Sequence, residues 1–154
     1  MSTKKGVSIT PHLVCRNAAQ AIAFYQKAFG AETVMVHKMP DGKVMHAALA
    51  LGEATVFLCD EFDQGCGSRS PETLGGTPIV IHLEVDDCDK WFERAVAAGC
   101  TVTMPLQDQF WGDRYGKIED PFGHHWSIAT HLRDVSPDEM QKAMRQMQPH
   151  KAGA

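Results

Sequence analysis

At 154 residues, 44% of them hydrophobic, the chain can build one ordinary domain with a real core, or two small modules sharing one. Fifteen Lys and Arg against 19 Asp and Glu give a formal net charge of −4 with no basic block, which excludes nucleic acid as an expected partner. No stretch approaches the roughly 20 apolar residues of a membrane span, and the five cysteines, odd in number and without a C-x-x-C pair, exclude a disulfide framework or zinc knuckle.

The opening "MSTKKGVSIT" has a basic start but no apolar segment behind it, so a cytoplasmic protein with reduced thiols is expected. Cys15, Cys59 and Cys100 sit in apolar surroundings as small buried hydrophobes, and Cys66 in "QGCGS" has no basic neighbour to activate it. "SITPHLVC" (8–15) reads as a strand. Asn17 then caps a helix, "AAQAIAFYQKAF", that stops at Gly30. "ETVMVHKM", a turn at Asp41-Gly42, "VMHAALAL", a turn at Gly52-Glu53 and "ATVFLCDE" follow as three strands. Residues 7–60 therefore form a first βαβββ module. Residues 61–77, rich in Gly, Ser and Pro, form a linker that could equally serve as a flap.

From Pro78 the order returns: "PIVIHLEV" as strand, Asp86 or Asp87 as cap, "CDKWFERAVAA" as helix, Gly99 as stop, then "TVTMPLQDQFW", "RYGKIED" and "HWSIATH" as strands. Gly99 lies 69 residues after Gly30, and His82 lies 70 after His12. An offset this steady argues that residues 78–132 are a second copy of one unit, which neither copy could bury alone. Ile22, Tyr25 and Phe29 in the first helix, and Trp91, Ala95 and Ala98 in the second, line one face each and should lie on a sheet. Asp120, Pro121 and Gly123 suit a tight turn, after which Trp126 should face the helix layer while His125 and Ser127 face the other way. Ser136, Pro137 and Glu139 start an appended helix over 136–148, whose Met140, Met144 and Met147 should pack on the domain or on a second subunit.

Paired βαβββ units with "AIAFYQKAFGAE", "EVDDCDKWFERAVAAGCTV" and "DPFGHHWSI" resemble the vicinal oxygen chelate superfamily of glyoxalases, bleomycin and fosfomycin resistance proteins and extradiol dioxygenases, over roughly residues 7–132. "VMHAALALG" and "WGDRYGKIEDPFGHHWSIATH" are similar to its PhnB-like branch. The resemblance implies an α+β fold in a single domain, residues 1–154, with the two modules forming a curved eight-stranded sheet around a cavity. It also implies a homodimer. Some PhnB-like proteins are labelled as related to methyltransferases, but no glycine-rich strand-to-helix loop is present here to hold a methyl donor, so that activity is discounted.

In metalloenzyme members four inward residues hold a divalent ion. Carried over by motif, those positions fall on Thr10, near Phe57, on Val80 and on Ser127, which is no ligand set. Strand alternation places His12, His82, Glu84 and His125 on the same inward faces, as a displaced alternative. If the two first strands run antiparallel, however, moving two residues along each slides their histidines roughly 13 Å apart, unless the starting stagger compensates. No cofactor is therefore expected, a divalent metal entering only through that displaced set. Two readings stand. In one the cavity binds a small molecule, with His12, His82, His125, His46, Trp111, Arg114 and Asp60 as candidate contacts and Trp111, Asp113, Arg114 and Tyr115 near its mouth. In the other, a metal-dependent lyase, isomerase or dioxygenase uses His82 and Glu84 as its catalytic pair. His37, His124 and His150 carry no pattern.

Overall fold

A computed structural model of the chain describes residues 6–63 and 67–147; Cys66 and His150 lie outside them. The first module comprises β1 (His12–Cys15), α1 (Ala18–Phe29), β2 (Glu32–Lys38), β3 (Val44–Leu51) and β4 (Ala54–Asp60). A short helix α2 (Pro71–Leu74) follows in the linker. The second module comprises β5 (Val80–Glu84), α3 (Cys88–Ala98), β6 (Thr101–Asp108), β7 (Asp113–Glu119) and β8 (His125–His131), and α4 (Pro137–Gln146) is appended. The fold is α+β, with two βαβββ modules. The eight strands divide into two four-stranded sheets, ordered β1-β4-β3-β2 and β5-β8-β7-β6.

The repeat holds at the level of register. His12 stands opposite Phe57 in the parallel β1–β4 pair, and His82 stands opposite Ser127 in the parallel β5–β8 pair. The helix entries repeat as well. Asp60 accepts the Ala18 N–H at the start of α1 (2.9 Å), and Thr130, 70 residues later, accepts the Cys88 N–H at the start of α3 (2.8 Å). Asp60 also accepts the Val44 N–H (2.7 Å) and is buried. It is not the pocket-rim residue expected from its place at a strand end: two backbone donors occupy its carboxylate and draw it inward. The cap of α3 is Asp87, and αL Gly30 closes α1.

α1 and α3 pack side by side and carry the core. Tyr25, Phe29, Trp91, Phe122 and Trp126 meet there, with Phe29 and Trp126 ring centroids 4.8 Å apart. Gly116 lets β7 approach this layer, since a Cβ there would lie 2.8 Å from Phe92 and 3.0 Å from the Leu106 backbone. Of the two packings expected for the α4 methionines, that on the chain's own domain is not seen. None of its residues is buried, and Met144 and Met147 are both 55% exposed. No helix among the described residues is long and apolar enough to cross a membrane.

At the middle of the core Asp120 is 3% exposed. One carboxylate oxygen accepts the Phe122 (2.9 Å) and His124 (3.0 Å) N–H groups, and the other accepts the Tyr25 hydroxyl (2.5 Å) and the Trp126 indole N–H (2.8 Å). Burial first, and then the Asp120 charge, hold Tyr25 protonated far above the usual phenol range. The same two causes push the Cys100 thiol up to about 12 and Cys15 higher still. Once pH passes about 9, an unfolded chain loses these protons while the folded chain keeps them, so stability falls as pH rises from about 9 towards the raised folded values. Urea midpoints are expected to be lower at about pH 10.5 than at about pH 8, with a smaller drop in Tyr25→Phe; equal midpoints would contradict the assignment.

Candidate functional site

A cleft of about 650 Å³ opens where the first strands of the two modules come together. One wall is Pro11, Leu13 and Val14, and another is Val80 and Ile81. The third is the segment between the modules, which contributes Arg69, Pro71, Leu74 and residues 76–79. Walls of this kind, largely apolar with a few polar groups, suit a small organic ligand, and the volume lies within the range of such sites.

The third wall was legible as a linker or a flap, and it is a built structure. Ser70 caps α2 from a fully buried position and Pro71 occupies its first turn. The hydroxyls of Thr73 (2.7 Å) and Ser70 (2.9 Å) both donate to the Glu61 carboxylate and hold its proton affinity below the usual range. The Arg16 guanidinium reaches Thr73 and Glu72 from the end of β1. These contacts dock α2 against the first module.

Three imidazoles enter the cleft: His12, His82 and His124. His12 and His82 stand at equivalent places in the repeat, each beside a ring from the third strand of its module. His12 meets His46 edge-on at 5.7 Å, while His82 lies nearly parallel to Tyr115 at 6.0 Å. Partial withdrawal from water, and then the neighbouring His46, lower the proton affinity of His12, so it is uncharged at neutral pH. The fourth-strand neighbours differ. Beside His12 stands Phe57, whereas the fully buried Ser127 bonds the Nδ1 of His82 at 2.8 Å. That nitrogen is the hydroxyl's one hydrogen-bond partner among the described residues. We assign the serine as donor, which puts the ring proton on Nε2 and leaves an N–H for a ligand. His124, which no sequence pattern singled out, sits just after the Asp120 turn and bonds the Val14 carbonyl at 3.0 Å. It ties the second module to β1 at the cleft.

The other expected contacts lie elsewhere. His46 is on the inner face of β3, behind His12 and 4.8 Å from the Phe57 ring. His125 shares that face in the second module, with Glu119 at 3.9 Å, and Glu84 is exposed; neither lines the cleft. Trp111 donates its indole N–H to Asp113 (3.1 Å) and meets Tyr115 edge-on, outside the cleft wall. Arg114 is not at the mouth at all. Alternation along β7 puts it on the helix side with Gly116 and Ile118, where Asp89 (3.1 Å) and Asp108 (3.0 Å) pair with it. Nor does Asp113 pair with Arg114. Asp113 and Asp134 each hold one ring nitrogen of His131 at 2.7 Å, which raises the proton affinity of that imidazole.

The donor set does not suit the metal of metalloenzyme relatives. Phe57 and Val80 offer no ligand atom, and the Ser127 hydroxyl is engaged by His82. The displaced set of His12, His82, Glu84 and His125 is not gathered either. Among the described residues, no group of three or more His, Cys, Asp or Glu is placed to hold an ion.

Residues 8–128 match the Glyoxalase/Bleomycin resistance protein/Dioxygenase superfamily. An uncharacterized protein of Mycobacterium bovis (strain ATCC BAA-935 / AF2122/97) is 52% identical over 139 residues, covering 89% of this chain and 91% of its own length. Among solved structures, TioX from Micromonospora sp. ML1 is 28% identical with a TM-score of 0.66, over 82% of this chain and all of that one. The PhnB protein from Bacillus cereus, 20% identical with a TM-score of 0.62 over 80% of this chain and 99% of its own, shares the fold.

Proposed function

The chain belongs to the Glyoxalase/Bleomycin resistance protein/Dioxygenase superfamily, and from that premise we propose that it is a PhnB-like member that binds a small molecule in the cleft between β1 and β5, without the usual metal centre. The observation that carries this reading is the combination of a largely apolar cleft of about 650 Å³ with His12 and His82 at equivalent places in its walls. Binding is the function that such a lining supports, and among the described residues no metal donor set accompanies it. The metal-dependent lyase, isomerase or dioxygenase is not favoured, since Glu84 stands away from His82's cleft-facing surroundings.

Superfamily members commonly bind small molecules and form dimers. We take this protein to act as a cytoplasmic homodimer. The exposed Val34, Met35 and Met45, with Met144 of α4 and Met147 just after it, support a second copy as partner, and the buried thiols of Cys15, Cys88 and Cys100 support a reducing compartment.

The neutral fluorescent probe N-phenyl-1-naphthylamine tests the reading. It is expected to bind saturably at one site per chain, and Val80→Trp, which fills the cleft from a position already 41% exposed, should weaken it by about tenfold or more. Saturable binding that Val80→Trp leaves unchanged would place the site elsewhere.

A further inference from the structure

Arg69 stands apart from the other arginines. Arg16 pairs with Glu72, Arg114 with Asp89 and Asp108, and Arg133 with Glu139. Arg94 donates to the Lys27 carbonyl and Arg145 to Gln141. Arg69 alone has no hydrogen-bond or ion-pair partner among the described residues, and it is the arginine that lines the cleft. No carboxylate lines the cleft with it among the described residues. Two acidic groups of the same segment are already committed: Glu61 to Ser70 and Thr73, and Glu72 to Arg16. Among the described residues Arg69 is therefore the one fixed charge in the wall, and it is positive.

A guanidinium presents a planar fork of donors suited to carboxylate, sulfonate or phosphate oxygens, and beside apolar walls the pairing is less screened than on an open surface. The same cleft offers Ile9, Leu74, Pro78 and Ile79 for an apolar body, and the Nε2–H of His82 for a second oxygen. We propose that the ligand of this cleft is an apolar acid: a largely hydrophobic molecule with one anionic group that pairs with Arg69 and an acceptor that takes the His82 N–H.

The inference rests on the cleft being the binding site, and a matched pair of probes separates the two. N-phenyl-1-naphthylamine and 8-anilino-1-naphthalenesulfonate share one aromatic body and differ by a sulfonate. In fluorescence titrations the sulfonate is expected to bind about tenfold tighter, an advantage that added salt reduces and that Arg69→Met abolishes, so that the two probes then bind with about equal affinity. Arg69 has no partner among the described residues, so the variant should be as stable as the parent. Equal affinities for the two probes, or an anion preference that survives Arg69→Met, would overturn the acid while leaving the cleft as a binding site. Failure of both probes to saturate would overturn both.

Discussion

Replacing Asp120 by alanine is expected to lower folding stability by about 3–5 kcal/mol, the largest loss predicted for any single polar side chain here. The carboxylate is buried and accepts four hydrogen bonds, two from its own turn and two from Tyr25 and Trp126. Truncation strands four donors in a site without water-sized exposure, and each stranded donor carries a desolvation cost. Asparagine keeps the shape but not the function, because its NH₂ must face donors that need an acceptor. Tyr25→Phe removes one donor and leaves the carboxylate three, so about 1–2 kcal/mol is expected. Tyr25 belongs to α1 and Asp120 to the β7–β8 turn, so the pair joins the modules. Urea unfolding of the two single variants and the double variant should give strong coupling. Additive effects would mean that the bond does not join them.

Gly112→Ala is expected to cost about 2–4 kcal/mol. A Cβ at this position would lie 2.1 Å from the Arg133 carbonyl oxygen, which is backbone and cannot swing aside, and the residue has φ +104°. The Gly112 carbonyl meanwhile accepts the N–H groups of Leu132 (2.9 Å) and Arg133 (3.1 Å), pinning the strand exit to the β6–β7 turn. Gly42 provides the control. Its φ of +91° is similar and nothing lies within 4 Å of its Cβ position, so Gly42→Ala carries only the conformational cost of about 1 kcal/mol. The difference between the two variants isolates the close approach. If they destabilise equally, the crossing of residues 112 and 133 is looser than described.

The modules were legible because their signals are local. Asn17 and Gly30, the two-residue turn at Gly52-Glu53 and the 70-residue offset each follow from neighbours in sequence, and the pairings of His12 with Phe57 and His82 with Ser127 repeat that offset. Asp120 was legible as a turn for the same reason. Its bond to Tyr25 crosses 95 residues, beyond any local rule. Arg114 was misplaced because it was grouped with its neighbours Asp113 and Tyr115, although the period of two that correctly separated Trp126 from Ser127 also separates Arg114 from Tyr115. The third wall carried a signal that was not used. Ser70-Pro71-Glu72 starts a helix as Ser136-Pro137-Asp138 does, but the glycines around it marked a linker first. Arg69 became informative only when the other arginines had found partners.

The central claim, a ligand cleft in a superfamily fold whose metal positions the resemblance carries onto Thr10, near Phe57, Val80 and Ser127, is tested most directly by measuring metal in purified protein after incubation with nickel, zinc or manganese and desalting. Metal far below one equivalent per chain, with no turnover of the methylglyoxal–glutathione adduct, is the predicted result. Near-stoichiometric metal that a His12→Ala, His82→Ala double variant loses would contradict it.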